Sequence, residues 1–155
     1  MAIHFTNQEF NKRKEKTLIE INKSKLDALL IFKQESMYWL TGYDTFGYVF
    51  FQCLILDKSG NIILLTRAPD LRQAQNTSII KDIRIWVDKK DSNPNKDLKK
   101  ILDELDLKGK KIGIEYDAYG LTGKNTILLN KSLDGYCKIE DGSELISKLR
   151  VIKSN

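Results

Sequence analysis

The sequence has few of the side chains that most often carry catalysis, bind metals or cross-link a chain. Its 155 residues include one histidine and two cysteines. Histidine is the commonest general base and metal ligand, and we expect the single one, His4, to be a solvated side chain near the chain terminus. Cys53 and Cys137 form no CxxC pair and have no histidine nearby in sequence. They are therefore interpreted as buried thiols in a reducing compartment.

Long hydrophobic runs and a targeting signal are also missing from the sequence. The longest apolar run, residues 48–56, is interrupted by Gln52 and is too short to cross a bilayer. Residues 1–5 lack the basic and hydrophobic regions of a signal peptide. We therefore expect a cytoplasmic protein with no membrane contact, folded as one domain with a hydrophobic core.

The net charge of +5 raises the question of a nucleic-acid partner. The lysines fall in short clusters along the chain, and each cluster has carboxylates close by. No RNP-type aromatic box accompanies them. Solvated helix faces and loop ends explain these lysines, and we expect no nucleic-acid partner.

Motifs that bind cofactors are missing or incomplete. No GxGxxG follows a predicted strand, and no GxxxxGK[ST] is present. Residues 120–124, Gly-Leu-Thr-Gly-Lys, lack the spacing of a phosphate-binding loop and are interpreted as a turn leading into a helix. Glu115 and Asp117 could share one face at a strand end and hold a metal. Without a histidine or a second cluster, a polar strand end is the better interpretation.

The rest of the sequence alternates between strand and helix patterns. A capping box formed by Thr6 and Glu9 predicts a first helix, and Asn93-Pro94 followed by a helical apolar stripe predicts another. Further helices are expected around residues 37–40, 69–76 and 123–133, and after 144. Strands are expected at residues 27–32, 48–56, 62–66, 83–87, 112–115 and 136–139. The second and third strands flank a turn cluster and should form an antiparallel hairpin. This order predicts the α/β class with helices on both faces of a mixed sheet, which a flavodoxin-like domain would also satisfy.

Four segments, in this order and spacing, resemble one known family. Residues 27–31 (Asp-Ala-Leu-Leu-Ile) match its first strand, and residues 38–43 (Tyr-Trp-Leu-Thr-Gly-Tyr) match its aromatic-aromatic-Leu-Thr-Gly-aromatic signature. Residues 112–115 (Ile-Gly-Ile-Glu) match a later strand, and residues 149–154 (Leu-Arg-Val-Ile-Lys-Ser) match a domain junction. The chain thus resembles the amino-terminal domain of the creatinase/prolidase/aminopeptidase P family. The resemblance implies a three-layer α/β/α sandwich with a mixed sheet of about six strands and ribonuclease H-like topology.

The resemblance also implies that residues 1–155 are only the first domain of a hydrolase. In the family, a pita-bread catalytic domain follows the junction and holds a divalent metal pair (Mn, Co or Zn) through Asp, Asp, His, Glu and Glu. That domain would begin just after residue 155, so no metal ligand and no catalytic residue is carried over to this chain, which we expect to be inactive alone. A chain ending one residue past the junction favours a truncated protein over a natural module.

For the amino-terminal domain itself, the resemblance implies a role in homodimer formation and in narrowing access to an active site, often that of the neighbouring subunit. The loop after the Thr-Gly pair, residues 43–48, would reach that site, which makes Tyr43, Asp44, Phe46 and Tyr48 the candidate substrate-gating residues. The alternative is that the three rings pack between sheet and helix. An aromatic loop with one acid suits a small cationic or proline-containing substrate.

The substrate class follows from a departure from the family pattern. Creatinase has a Phe-Gly-Arg near this strand, where this chain has Tyr48-Val49-Phe50 and no arginine. This argues against creatine and favours an Xaa-Pro peptide or a small amidine or amino acid. Two other interpretations stay open: a free-standing small-molecule or protein-binding module of the same fold, and a flavodoxin-like enzyme, which would need a phosphate-binding loop.

Overall fold

A computed structural model describes residues 3–153 of the chain. This part of the chain contains six β-strands and six α-helices. The strands are β1 Ala28–Ile31, β2 Cys53–Asp57, β3 Ile62–Arg67, β4 Asp82–Trp86, β5 Lys111–Ile114 and β6 Lys138–Asp141. The helices are α1 Asn7–Lys23, α2 Gln34–Thr41, α3 Leu71–Thr77, α4 Pro94–Glu104, α5 Gly123–Leu133 and α6 Leu145–Val151. Short 3-10 turns lie at Phe46–Val49 and Ala68–Asp70.

The six strands form one mixed sheet in the order β4-β3-β2-β1-β5-β6. Strand β2 runs antiparallel to both of its neighbours, whereas β1, β5 and β6 pair in parallel, as do β3 and β4. The predicted hairpin is confirmed, with Leu54 opposite Leu64. The Asp57 carboxylate accepts hydrogen bonds from the Asn61 backbone at 2.9 Å and side chain at 2.8 Å, which closes the turn.

Hydrophobic side chains cover both faces of the sheet, as expected for central strands with helices on either side. On one face, Leu30 packs in a cluster with apolar residues of α4 and α5. On the other, Leu29 and Ile31 pack with apolar residues of α1, α2, α3 and α6. This arrangement confirms the three-layer α/β/α sandwich. Within residues 3–153, no helix is both long and apolar enough to cross a membrane.

The predicted starts of α1, α4 and α5 match the structure, whereas α2 begins three residues earlier than predicted and α3 two residues later. The Thr6 hydroxyl accepts a hydrogen bond from the Glu9 backbone at 3.2 Å and begins α1. Asn93 caps α4, which has Pro94 in its first turn. Thr122 caps α5 and accepts from the Asn125 backbone at 3.2 Å. Residues 120–124 are therefore a turn leading into a helix, as predicted.

Two predicted strands differ from the observed ones by two or more residues at an end. The strand predicted at residues 48–56 begins only at Cys53, because residues 46–49 form a 3-10 turn. The strand predicted at 136–139 lies at Lys138–Asp141, because Tyr136 still hydrogen-bonds the end of α5 through its backbone. Strands β4 and β5 each begin and end one residue earlier than predicted.

Strand β4 is half exposed, as its alternation predicts, but its buried face is the one that carries the tryptophan. Trp86 is buried and donates its Nε1 hydrogen to the Phe51 carbonyl at 3.0 Å. Ile85 and Val87, on the opposite face, are exposed. The face with Trp86 is the buried one because the indole has the larger apolar surface and its N–H finds a hydrogen-bond acceptor.

Candidate functional site

The Thr-Gly pair of the signature segment ends helix α2 and turns the chain into the core. Gly42 has a φ of 82° and donates its backbone N–H to the Tyr38 carbonyl at 2.8 Å. A Cβ atom at this position would lie 2.7 Å from the Thr77 carbonyl oxygen. Only glycine both adopts this left-handed backbone without strain and leaves room for the Thr77 carbonyl oxygen. The next residue, Tyr43, is thereby directed inward.

Tyr43 lies in the core, so its ring is not available to a ligand at the loop surface. It is fully buried, and its hydroxyl donates to Gln52 Oε1 at 3.0 Å and contacts Thr66 Oγ1 at 3.0 Å. Burial raises the pKa of Tyr43 to about 12. Gln34 closes the network, since it donates to the Tyr43 carbonyl at 2.8 Å and accepts from Gln52 at 3.0 Å. The Tyr43 ring therefore packs in the core between sheet and helix, which was the alternative to a gating role.

The three other candidate residues, Asp44, Phe46 and Tyr48, are exposed. The Phe46 side chain is 94% exposed and that of Tyr48 is 38% exposed. Between them, the backbone is anchored by Thr45, whose hydroxyl donates to Asp70 Oδ1 at 2.8 Å and accepts from the Gly47 N–H at 2.9 Å. Residues 44–48 therefore form a surface loop in which buried, hydrogen-bonded residues alternate with exposed side chains.

A second segment extends this surface, and sequence reasoning did not find it. Tyr119 is 78% exposed, and its ring packs edge-on against Tyr48 with 6.0 Å between ring centroids. Gly120 brings the two segments together, because a Cβ atom there would lie 2.6 Å from the Phe50 carbonyl oxygen and 2.8 Å from that of Tyr48. We call the exposed rings of Phe46, Tyr48, Phe50 and Tyr119 the aromatic patch. No local pattern marks Tyr119, since 71 residues separate it from Tyr48.

The aromatic patch borders a groove at the carboxyl ends of β1 and β5. The groove encloses about 1280 Å³. Asp44, Tyr48 and Tyr119 line it, as do Trp39 of α2 and Arg150 of α6. Its walls combine aromatic rings with charges of both signs. A polar-and-aromatic groove of this size is large enough for a small zwitterionic molecule or for part of another protein.

Glu115 directly precedes the groove residue Tyr116 and holds the start of α2 through hydrogen bonds. Its Oε1 accepts from the backbone N–H groups of Phe32 at 3.1 Å and Lys33 at 3.0 Å, and its Oε2 accepts from the Ser36 hydroxyl at 2.8 Å. Burial raises the pKa of Glu115 from 4.5 to about 7. Asp117 lines the groove, is mostly exposed, and lies 3.7 Å from Lys33 Nζ. Hydrogen bonds thus hold the Glu115 carboxylate against the start of α2.

Potential metal-ligating side chains do not cluster within residues 3–153. Nowhere in this range do three His, Cys, Asp or Glu side chains approach closely enough to share an ion. His4 is exposed, and its Nδ1 lies 2.6 Å from the Tyr38 hydroxyl. Cys53 is buried and Cys137 half-buried, and burial raises the pKa of both thiols, which lowers their reactivity.

Comparisons of the sequence and of the fold with known proteins point to the same family. A family model described as the creatinase/prolidase N-terminal domain matches residues 13–152. The ectoine hydrolase of Halomonas elongata is 27% identical over 99% of this chain and 40% of its own length. A dipeptidase from Pyrococcus horikoshii superposes with a TM-score of 0.74 and 26% identity, covering 92% of this chain and 37% of that one.

The chain spans about 40% of the length of the curated relatives it matches. By contrast, it covers 98% of a solved structure of the N-terminal domain of the cytoplasmic peptidase PepQ from Mycobacterium tuberculosis, with 90% of this chain aligned, a TM-score of 0.69 and 21% identity. The predicted junction at residues 149–154 coincides with α6 and the residues after it, and its last residue, Ser154, lies outside the described residues.

Proposed function

Because this chain belongs to the creatinase/prolidase N-terminal domain family, we propose that it is the non-catalytic first domain of a metal-dependent hydrolase that acts on Xaa-Pro peptides or similar small substrates. In this proposal residues 1–155 form one domain, and a pita-bread catalytic domain with a divalent metal pair (Mn, Co or Zn) begins just after residue 155 in the full-length protein. The proposal rests on two matches: the family model matches residues 13–152, and the Halomonas hydrolase aligns with 99% of this chain but only 40% of its own length.

The first domain would support a homodimer and control substrate access. Two features of the groove favour this role. Asp44 and Tyr48 line it beside the exposed ring of Phe46, and the end of α6 lines it as well. Val151 and Ile152 are exposed apolar side chains at that end. A catalytic domain that follows α6 would therefore begin beside the aromatic patch, where it could cover apolar surface that is costly to leave in water.

The substrate class proposed for the whole protein is a small molecule with both charge and apolar surface. The Pyrococcus relative is named a dipeptidase and the Halomonas relative an ectoine hydrolase. Aromatic faces attract cationic groups and pack against proline rings, and the groove adds Asp44 and Arg150 as charged partners. An Xaa-Pro dipeptide or a small amidino or amino-acid substrate fits these groups. We place the reaction in the cytoplasm, where the PepQ relative is named to act.

The alternative is a free-standing module that binds a small molecule or a protein in the groove. The observation that favours it is the groove itself, which holds about 1280 Å³ and is lined by aromatic rings and by charges of both signs. The two proposals differ in one readily measured property. A module would bind its ligand without a catalytic domain, whereas a gating domain contributes to selectivity only when the catalytic domain is present.

The first experiment assays the 155-residue chain alone against Xaa-Pro dipeptides, with and without added Mn²⁺ or Co²⁺. We expect no turnover, because no ligand set for the metal pair is brought together in residues 3–153. Metal-dependent turnover by the pure chain that a chelator abolishes would overturn the proposal.

The second experiment uses the full-length enzyme and compares Phe46→Ala and Asp44→Ala with Ile127→Ala, an exposed apolar control on α5. The first two substitutions should change the ratio of kcat/KM between substrates, with little effect on the melting temperature, because both side chains are exposed. The control should change neither. If Phe46→Ala and Asp44→Ala leave the kinetics unchanged and lower the melting temperature, the loop only packs and the gating role is wrong.

A further inference from the structure

Asp70 occupies the position of a helix cap without capping its helix. It precedes α3 directly, but its side chain makes no hydrogen bond to the first turn of that helix. Aspartate at this position usually accepts a hydrogen bond from a backbone N–H of the first turn and stabilises the helix. The Asp70 carboxylate is instead turned toward residues 45–47 and is almost completely buried. Its contacts therefore serve the loop and not the helix.

The carboxylate holds the first half of the loop by two contacts. Its Oδ1 accepts a hydrogen bond from the Thr45 hydroxyl at 2.8 Å, and that hydroxyl in turn accepts from the Gly47 N–H at 2.9 Å. Gly47 packs directly on the carboxylate, because a Cβ atom at this position would lie 2.6 Å from Asp70 Cγ. A larger residue at position 47 would force the loop and the Asp70 carboxylate apart.

Arg67 connects the same carboxylate to the other end of the loop. Its Nε lies 3.3 Å from Asp70 Oδ2, and its guanidinium carbon lies 3.6 Å from the centre of the Phe50 ring. Both side chains of the ion pair are largely buried, so the pair is less screened by water than a surface pair. One ion pair thus contacts the loop at Thr45, Gly47 and Phe50.

We propose that Asp70 and Arg67 hold residues 45–50 in a single preformed conformation, and so act as positioning residues for the exposed ring of Phe46. A ring that is 94% exposed makes few contacts of its own, so its direction is set by the backbone beneath it. A preformed loop avoids the entropy cost of ordering when Phe46 meets its target. The importance of this clamp for gating rests on the proposed function, whereas the clamp itself can be tested in this chain alone.

The test measures backbone order in the 155-residue chain by ¹⁵N relaxation and amide hydrogen exchange, comparing the wild type with Thr45→Val and Asp70→Ala. We expect order parameters for residues 46–49 to fall from about 0.85 to below about 0.6 in both variants. The Gly47 amide should exchange about tenfold faster, the effect of losing one hydrogen bond of ordinary net strength. Thr45→Ser keeps the hydroxyl and should restore both values.

The matched control is Thr17→Val, which removes a buried hydroxyl that donates to the Arg13 carbonyl at 2.8 Å in α1, away from the loop. It should leave residues 46–49 as ordered as in the wild type. Retained order in both Thr45→Val and Asp70→Ala would overturn the clamp. That result would leave the gating proposal intact, since gating is tested by Phe46→Ala and Asp44→Ala in the full-length enzyme.

Discussion

Glu115 makes the stability of this domain depend on pH in a direction opposite to that of an ordinary carboxylate. The group is fully buried, and burial is the main cause that raises its pKa from 4.5 to about 7. Three hydrogen bonds and the nearby Lys33 charge oppose the rise without cancelling it. Since the folded state holds this proton more tightly than the unfolded state, folding is favoured where the proton is bound.

The sign and the size of the effect follow from this difference. A raised pKa contributes stability that is fully present below about pH 4.5 and is lost as the pH rises through about 7. The difference between 4.5 and about 7 corresponds to a loss of about 3 kcal/mol between pH 4.5 and 8.5. The shifted aspartates Asp27, Asp82 and Asp141 have lowered pKa values and change charge below this window.

The measurement is urea unfolding followed by the fluorescence of the two tryptophans, for the wild type and Glu115→Gln at pH values from 4.5 to 8.5. Glutamine can still accept from the Phe32 and Lys33 amides and can donate to the Ser36 hydroxyl, but it cannot ionise. Glu115→Gln should therefore gain about 3 kcal/mol relative to the wild type across this range. Glu115→Ala, which leaves three buried donors without a partner, should lose more than about 3 kcal/mol at every pH.

Glu140→Gln is the matched control, because its surface pair with Lys111 is half exposed and contributes at most about 1 kcal/mol. Its stability profile should run parallel to that of the wild type. If Glu115→Gln also runs parallel to the wild type, the hydrogen bonds fully compensate the buried charge. The reasoning that burial dominates would then be refuted.

Three further predictions concern the turn after α2 and the oligomeric state. Tyr43→Phe should cost about 1–3 kcal/mol in urea unfolding, because the partners of the buried hydroxyl, Gln52 and Thr66, lose a hydrogen bond. Tyr48→Phe, in the exposed part of the loop, should cost less than about 0.5 kcal/mol, and equal losses would contradict the role of the buried network. Gly42→Ala should cost about 1–3 kcal/mol, because it strains a backbone with φ of 82° and approaches the Thr77 carbonyl; an unchanged midpoint would contradict this. The chain alone should sediment as a monomer at micromolar concentration, because small interfaces are usually transient; a concentration-independent dimer down to nanomolar levels would show that it carries its own interface.

Local signals were enough for most helix starts and for the signature turn. Thr6 and Asn93 cap helices, as predicted, because their side chains bond backbone groups two or three residues away, an interaction that depends only on neighbouring residues. Gly42 could be assigned to the left-handed region for the same reason. The alternation of strands and helices likewise predicted a mixed sheet with helices on both faces.

The sequence located the candidate loop but could not predict which of its aromatic side chains are buried and which are exposed. Tyr43, Phe46 and Tyr48 are all aromatic residues after the same glycine, yet Tyr43 is buried and Phe46 is 94% exposed. The difference arises because the chain dips into the core at Tyr43 and then turns outward over Asp70, a residue 25 positions from Thr45. A strand prediction over residues 48–56 missed this turn, because aromatic and β-branched residues favour strands locally.

The sequence by itself determined the elements, the α/β class and the family resemblance, because capping, periodicity and short motifs depend on residues close together in the chain. Only the tertiary structure decided which side chains share an environment. The Glu115 contacts with Phe32 and Lys33 span 83 and 82 positions, and those contacts decide whether the carboxylate binds a metal or the start of a helix. The pairing of Tyr48 with Tyr119 arises in the same way. Burial and charge at a site are sums over neighbours in space, and the strand order that brings these neighbours together is set by packing of the whole sheet.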